Sequence, residues 1–140
     1  MSLFPKDVIG LATDVLDACR ARGIKIATAE SCTGGLIAAA LTEIAGSSDV
    51  VDRGFVTYSN AAKTAMLSVS NETLGAYGAV SKETALEMAA GALTNSLAGI
   101  SVAVTGVAGP GGGSIDKPVG LVHIVVANAA NTIHRECRFG

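Results

Sequence analysis

The chain has no tryptophan, few other aromatic residues and few charges. Its 140 residues include two tyrosines and three phenylalanines, and the charged residues make up 16%. The formal net charge of −2 argues against a nucleic-acid-binding protein, because such proteins normally present a basic face. Hydrophobic residues, the aromatic ones included, make up 49% of the chain. This composition favours a single compact α/β domain over residues 1–140, with buried strands and with some apolar surface covered by a second subunit of a homo-oligomer.

The chain also lacks a long apolar run and a pattern of metal ligands. No stretch approaches the roughly 20 apolar residues that cross a bilayer. The first residues lack the charged start and hydrophobic centre of a signal peptide. Cys19, Cys32 and Cys137 are odd in number and have no metal-ligand spacing. We therefore expect a cytoplasmic protein with no metal, no cofactor and no membrane or nucleic-acid partner.

Hydrophobic periodicity predicts that helices alternate with strands. The predicted helices cover 5–22, 35–45, 61–67, part of 71–79, and a stretch from the N-cap Ser81 to Leu97. The predicted strands cover 24–29, 54–58, 100–104, 119–127 and 132–139, the last two as a hairpin. Strands separated by helices imply a three-layer α/β/α sandwich with a mixed, mainly parallel sheet.

Polar or glycine-rich residues follow three of the predicted strands. Residues 28–35 form a tight turn of small residues between the first strand and the next helix, and residues 57–60 and 105–118 follow two other strands. In such sheets, sites lie at the carboxyl ends of the strands. The start of a helix offers unpaired N–H groups and a positive dipole end, which stabilise an anion or a developing oxyanion. We expect the three strand ends to converge on one site.

Ser31, within the first turn, is the leading candidate nucleophile. It needs a base, because a free hydroxyl ionises far above neutral pH. His123 and His134 do not lie beside a predicted strand end, and the Gly-x-Ser-x-Gly elbow is missing. Lys63 lies one turn into the helix after the second strand, and burial can lower the pKa of a lysine far enough for it to act as a base. A Ser31–Lys63 pair, with Tyr58 relaying or orienting a proton, is chemically coherent.

Each of these residues also has a structural interpretation, which the pattern leaves open. Ser31 or Thr33 is also a suitable helix cap, Lys63 a solvated surface lysine, and Tyr58 a packing residue. Cys32 is a second candidate nucleophile, activated by the helix N-terminus. Its side chain should point away from that of Ser31, so the pattern favours a buried thiol.

The glycine-rich loop 105–114 allows close approach of backbone to a ligand. It is not a Walker A motif, since no Gly-Lys-Ser/Thr follows, and it is not a Rossmann fingerprint. A ligand-binding loop and a mobile connection both fit it. Lys117 is either a group that neutralises a phosphate or an ordinary loop charge. The position of the loop after a buried strand that ends at Thr105 favours binding.

Six segments in the same order resemble the CinA C-terminal domain family, the nicotinamide-nucleotide amidohydrolases. They are 28–35, 46–48, 53–60 with Lys63, 78–81, 105–112 and 117–120. Together they extend over nearly the whole chain. The resemblance implies conversion of nicotinamide mononucleotide, a small pyridine nucleotide, to nicotinate mononucleotide and ammonia without a metal.

Carried onto this chain, the resemblance implies that Ser31 is the nucleophile and Lys63 the general base, with Tyr58 and Thr105 in support. The expected mechanism is acyl transfer. Backbone N–H groups near Cys32 to Gly34 would hold the oxyanion, with the Thr105 hydroxyl as a further candidate donor. The loop 106–113 is expected to hold ribose or phosphate. The expected substrate-binding residues are Cys32, Thr33, Gly34, Asn60, Gly106, Gly109, Gly111 and Gly112.

The chain departs from the family pattern at its ends. Family members usually continue past the position of Gly140 into another helix, often with an arginine, and its loss would expose one sheet face and weaken phosphate binding. The chain resembles the stand-alone form, and we expect it to work without the N-terminal molybdopterin-binding-like domain of longer members. Two other functions stay open: a non-catalytic nucleotide-binding or interaction module, and an amidohydrolase for another carboxamide.

Overall fold

A computed structural model describes residues 2–140. The helices are α1 (Lys6–Arg22), α2 (Leu36–Thr42), α3 (Asn60–Leu67), α4 (Asn71–Tyr77) and α5 (Lys82–Thr94), with a short 3₁₀ helix at Ser47–Asp49. The strands are β1 (Ile26–Glu30), β2 (Val51–Val56), β3 (Ile100–Gly106), β4 (Leu121–Ala127) and β5 (Thr132–Arg138). The elements follow one another in the predicted order.

The five strands form one mixed sheet in the order β2-β1-β3-β4-β5. β1 runs parallel to both of its neighbours, and its last residue, Glu30, is paired with Val56 of β2 and Val104 of β3. β4 runs antiparallel to β3 and to β5. The predicted α/β class with a mixed sheet is confirmed. Because β2, β1 and β3 are parallel, their carboxyl ends lie at the same edge of the sheet.

Helices cover both faces of the sheet. α5 packs on β1, β3 and β4, and α3 and α4 pack against α5. Its buried face is rich in small side chains, namely Ala85, Ala89, Gly91 and Ala92 around Met88. These small residues allow the helix backbone to lie close to its neighbours. α1 and α2 lie on the opposite face, where Leu16 and Leu41 pack with Ile26 of β1.

Three helices begin at serine caps. The side-chain oxygens of Ser59, Ser70 and Ser81 accept hydrogen bonds from the main-chain N–H groups that start α3, α4 and α5. The predicted cap at Ser81 is therefore confirmed. The cap at Ser59 starts α3 directly after the end of the β2 segment, which fixes Lys63 one turn into that helix.

Several element boundaries differ from the prediction, among them the start of β2 and the end of α5. β2 begins at Val51 rather than at residue 54, since pairing with β1 draws Arg53 into the ladder although charged residues favour strands poorly. α5 ends at Thr94, so the prediction that Leu97 lies on its apolar face is wrong. The Leu97 side chain is 76% exposed, and its N–H donates to Asp52 Oδ2.

Candidate active site

The carboxyl ends of β1 and β3 and the segment between β2 and α3 enclose a small pocket. It is lined by Ser31, Cys32, Tyr58, Lys63, Ala79, Val80, Thr105, Gly106 and Ala108. The three strand ends therefore converge, as the sequence predicts. The cavity volume of about 230 Å³ lies below the roughly 300 Å³ at which pockets for drug-sized ligands begin. The pocket is thus suited to enclose one part of a nucleotide-sized ligand.

Lys63 reaches this pocket from α3, and its side chain is only 1% exposed. Its Nζ lies 2.8 Å from Ser31 Oγ. It also donates to the main-chain carbonyl oxygens of Thr57, at 2.8 Å, and Tyr58, at 3.4 Å. The prediction that would make Lys63 a solvated surface residue is wrong. The structure brings the predicted nucleophile and the predicted base into direct contact.

The surroundings of Lys63 favour its neutral form. Burial lowers the pKa of Lys63, and an opposing electrostatic contribution comes from Cys32. A neutral amine has two hydrogens and one lone pair. In the neutral form the carbonyl oxygens of Thr57 and Tyr58 would accept the two hydrogens, and the lone pair would face the hydroxyl of Ser31. In this geometry Lys63 is placed to accept the serine proton.

Ser31 is held by the sheet and by the turn that follows it. Its N–H donates to the Val104 carbonyl at 3.0 Å, which extends the pairing of β1 with β3 by one residue. The Gly34 N–H donates to the Ser31 carbonyl at 3.1 Å. Within residues 2–140, the N–H groups of Cys32 and Thr33 donate to no oxygen atom. These two N–H groups lie next to Ser31 and near the Cys32 thiol, and no oxygen atom of the described residues occupies them.

Main-chain N–H groups in the first turn of α2 already donate to a side chain of the protein, the carboxylate of Glu30. The Glu30 carboxylate accepts hydrogen bonds from the N–H groups of Ile37, at 2.9 Å, and Ala38, at 3.0 Å. It also accepts one from the Thr33 hydroxyl at 2.6 Å. The N–H groups of Ile37 and Ala38 are therefore not available to a ligand. The N-cap of α2 is Gly35 without a side-chain hydrogen bond, so the capping interpretation of Ser31 and Thr33 is wrong.

Cys32 lines the pocket beside Ser31 and is only partly buried. The expectation that the Cys32 thiol is buried away from the site is thus wrong, because the thiol lines the same pocket as Ser31. Burial raises the pKa of the Cys32 thiol, although hydrogen bonds from the Cys32 and Thr33 N–H groups and the charge of Lys63 act the other way. The thiol is held in its protonated, weakly nucleophilic form.

Thr105 and Tyr58 line the pocket in different ways. The buried Thr105 hydroxyl donates to the Ala79 carbonyl at 2.8 Å, so its hydrogen is engaged and it offers only lone pairs to the pocket. The expected role of this hydroxyl as an oxyanion donor does not fit that arrangement. The Tyr58 side chain is 72% exposed at the pocket mouth, while its carbonyl accepts from Lys63.

Several of the expected substrate-binding residues lie outside the pocket lining. Thr33 lines the adjacent apolar cavity on the α2 side, and Asn60 is an exposed first residue of α3. In the loop, Gly106 lines the pocket, whereas Gly111 and Gly112 are exposed. Gly109 has a packing role, because a Cβ there would lie 2.5 Å from Val119 Cγ1.

No histidine lines the pocket formed by the described residues. His123 is paired with Thr105 across the sheet, but its Nδ1 lies 3.0 Å from Nε2 of His134. In the part of the chain that the structure describes, no three His, Cys, Asp or Glu side chains are grouped as metal ligands. Among the helices of residues 2–140, none combines the length and the apolar character needed to cross a bilayer.

Sequence reasoning missed two contributors to the site. The carbonyl groups of Thr57 and Tyr58 orient Lys63, and backbone acceptors leave no signal in residue type. The second contributor is Glu30, which the sequence shows only as one residue of the segment 28–35. Its direct position before Ser31, at the end of an apolar strand, was the available signal that a carboxylate would be buried there.

The fold and the pocket together define an α/β protein with a buried Ser–Lys pair at the carboxyl edge of a mixed sheet. The chain belongs to the CinA C-terminal domain family, whose model matches residues 9–140. Similar curated proteins carry different names. A putative competence-damage inducible protein of Caldicellulosiruptor bescii is 51% identical over 98% of this chain. The nicotinamide-nucleotide amidohydrolase PncC of Escherichia coli K12 is 48% identical over 96% of it.

The similarity extends to solved structures. The competence/damage inducible protein CihA from Agrobacterium tumefaciens superimposes with a TM-score of 0.98 at 60% identity, covering all of this chain and 86% of that one. The chain spans a third or less of the longer curated relatives, such as 32% of the Caldicellulosiruptor bescii protein. It spans 82% of the Escherichia coli PncC protein.

Proposed function

We propose that this chain is a nicotinamide-nucleotide amidase. It hydrolyses the carboxamide of nicotinamide mononucleotide to nicotinate mononucleotide and ammonia by acyl transfer through Ser31 and Lys63. The observation that carries the proposal is the 2.8 Å contact between Lys63 Nζ and Ser31 Oγ inside a small pocket. Relatives named nicotinamide-nucleotide amidohydrolase PncC, 48% and 56% identical to this chain, support the choice of substrate.

The first half of the reaction acylates Ser31. Neutral Lys63 accepts the hydroxyl proton as Ser31 Oγ attacks the carboxamide carbon, and the carbonyl oxygen becomes an oxyanion. The N–H groups of Cys32 and Thr33 donate to that oxygen. Lys63, now an ammonium, gives its proton to the amide nitrogen as the C–N bond breaks. Ammonia leaves, and a nicotinoyl ester of Ser31 remains.

The second half returns the enzyme to its starting state. Neutral Lys63 accepts a proton from a water molecule, whose oxygen attacks the ester carbon. The same two N–H groups receive the second oxyanion. Lys63 then returns the proton to Ser31 Oγ as the C–O bond breaks, and nicotinate mononucleotide leaves. A single base thus performs both proton transfers in each half.

The nucleotide portion of the substrate extends from the pocket over the glycine-rich loop. Gly106 and Ala108 line the pocket at the beginning of this loop. Its far end is tied to α4 by Lys117, whose Nζ donates to the Tyr77 carbonyl. In this arrangement the loop holds ribose or phosphate while the carboxamide lies against Ser31.

We further propose that the 140 residues form a single domain. We also propose that the protein works in the cytoplasm and assembles as a homo-oligomer. The three cysteines are free thiols, as in a reducing compartment. Exposed apolar side chains on α1 and α2, including Leu11 and Leu36, offer a surface for a second copy. Light scattering of the purified protein measures the mass that decides the oligomeric state.

Ammonia release from nicotinamide mononucleotide, measured in the presence of a chelator, tests the proposed function. We expect the wild-type protein to turn over and kcat of Ser31→Ala and Lys63→Ala to fall by about 10³-fold or more, as for other catalytic nucleophiles and bases. Lys82→Ala, which removes an exposed lysine at the start of α5, is the matched control and should retain wild-type activity.

Each other outcome selects a different function. Binding of the nucleotide without ammonia release by a folded wild-type protein would favour a non-catalytic module. Ammonia release from another carboxamide, but not from the nucleotide, would favour an amidohydrolase of different specificity. Activity that survives in Ser31→Ala would contradict the acyl-transfer mechanism.

A further inference from the structure

Glu30 is a fully buried carboxylate that the proposed mechanism does not use. It ends β1, directly before Ser31. In residues 2–140, no lysine or arginine nitrogen forms a salt bridge with it. An isolated carboxylate is strongly disfavoured in such a place unless hydrogen bonds or charges compensate. The compensation must therefore come from the neutral donors around it.

Those donors come from one short segment. Glu30 Oε1 accepts from the Thr33 hydroxyl and from the Ile37 N–H, and Oε2 accepts from the Ala38 N–H. The two N–H groups belong to the first turn of α2, whose positive dipole end adds to the stabilisation of the carboxylate. The Glu30 side chain consequently joins the end of β1 to the start of α2.

The segment between these two anchors is the turn that carries the N–H groups of Cys32 and Thr33. Its first residue, Ser31, is fixed by the Val104 carbonyl, and its middle residue, Thr33, is fixed through its side chain by Glu30. The N–H groups of Cys32 and Thr33 lie between those fixed points. Displacement of Thr33 or of the start of α2 would therefore rotate the peptide groups beside Ser31.

We propose that Glu30 is a positioning residue that holds the N–H groups of Cys32 and Thr33 as the oxyanion site. This inference rests on the proposed amidase function for its kinetic consequence, although the geometry it describes is independent of the substrate. The carboxylate acts through Thr33 and α2 and does not touch the substrate. Thr33 is thereby given a role through its hydroxyl rather than as a substrate-binding group.

Another carboxylate of the chain provides a matched control. Glu87 of α5 accepts from the Ser70 N–H and the Thr73 hydroxyl at the start of α4. It resembles Glu30 in joining a helix start to a neighbouring element, but it does not line the pocket. We expect loss of the Glu87 carboxylate to lower stability without changing the chemistry in the pocket.

The kinetic test compares Glu30→Gln, Thr33→Val, Thr33→Ser and Glu87→Gln at a temperature where all are folded. We expect kcat of Glu30→Gln and Thr33→Val to fall about 10- to 100-fold, as for a misplaced catalytic group, with KM changed less than about threefold. Thr33→Ser, which retains the hydroxyl, should restore activity. The pH at which kcat/KM is half-maximal should stay at the wild-type value, since Lys63 is not altered.

A second readout does not depend on turnover. Pyridine-3-boronic acid forms a tetrahedral adduct with a serine oxygen, and one boronate oxygen takes the place of the oxyanion. We expect its Kd to rise at least about tenfold in Glu30→Gln and in Thr33→Val, in line with the kinetic effect. The Kd should be unchanged in Thr33→Ser and in Glu87→Gln.

The two readouts separate failure of this inference from failure of the proposed function. Wild-type protein that binds the boronate with the expected variant pattern, but releases no ammonia, supports the positioning role and contradicts the amidase. Active wild-type protein in which Glu30→Gln behaves as Glu87→Gln does in both assays overturns the positioning role. So does a boronate that binds equally well to all four variants.

Discussion

A lysine that is almost fully buried and hydrogen-bonded only to neutral oxygens is poorly placed to carry a charge. Lys63 has no carboxylate among its hydrogen-bond partners, which are Ser31, Thr57 and Tyr58. Burial accordingly lowers its pKa. The consequence at the residue scale is that its base form is present at a lower pH than in an exposed lysine.

The pH dependence of the reaction follows from this shift. Because the neutral amine is the active form, we expect kcat/KM to rise with pH through the lowered pKa of Lys63 and to level off above it. Rates of ammonia release over a range of buffers measure this profile. Lys63→Arg, which remains charged, should be inactive throughout. A profile that falls with rising pH would contradict the assignment of Lys63 as base.

The two adjacent candidate nucleophiles are expected to differ sharply. Burial raises the pKa of the Cys32 thiol, whereas the Ser31 hydroxyl faces the amine of Lys63. We expect Cys32→Ala to retain activity within about tenfold of wild type and Ser31→Ala to lose about 10³-fold, measured as kcat for ammonia release. Equal losses in both variants would mean that the thiol takes part in the chemistry.

At the residue scale, the sequence could predict which residues belong to the site, but not where each side chain points. Ser31, Lys63 and Thr105 all lie in one pocket, as expected from their positions after strand ends. Thr33 points to Glu30 instead, because the turn between β1 and α2 rotates its side chain away from the pocket. That rotation depends on where α2 packs, which no local pattern specifies.

At the scale of elements, α3 and α5 approach each other closely at Gly91. A Cβ at Gly91 of α5 would lie 2.0 Å from the Leu67 carbonyl oxygen at the end of α3. We expect Gly91→Ala to lower the free energy of unfolding by about 3 kcal/mol, the upper range for overpacking. Urea denaturation of wild type and variant measures the difference.

Gly75 of α4 provides the control for this substitution. A Cβ there would meet nothing within 4 Å. Gly75→Ala should raise the free energy of unfolding by up to about 1 kcal/mol through helix propensity. If Gly91→Ala were as stable as Gly75→Ala, the contact between α3 and α5 would be looser than described.

Element boundaries were predictable where a local cap decides them. Ser81 could be assigned as an N-cap from its position before an apolar periodic stretch, and it caps α5. The start of β2 was not predictable in this way, because Asp52 and Arg53 join the strand only through pairing with β1. Tertiary pairing outweighs intrinsic propensity there.

For the whole molecule, the stability should depend on the protonation of His123. Burial, with a further contribution from His134, lowers the pKa of His123. The unfolded chain then binds this proton before the folded one does. The free energy of unfolding is therefore expected to fall as pH decreases below about 6.5, and to level off below the folded-state pKa.

Urea denaturation at pH 7.5 and pH 5.5 measures this effect. His123→Gln removes the titrating group, so the variant should lose less stability between the two pH values than wild type does. An identical loss in both proteins would show that the neighbouring strand β5 opens enough to solvate the imidazole. His134→Gln serves as the control for the hydrogen bond between the two rings.

The arrangement of the aromatic residues has a spectroscopic consequence. The chain has no tryptophan and two tyrosines, so its near-ultraviolet emission comes from two phenol rings. Tyr58 stands at the pocket mouth, and Tyr77 ends the helix to which Lys117 ties the glycine-rich loop. Tyr58 is therefore the fluorophore that flanks the opening of the pocket. A pyridine ring that enters the pocket would quench the tyrosine emission. Ligand binding could therefore be followed by the fluorescence of the unlabelled protein.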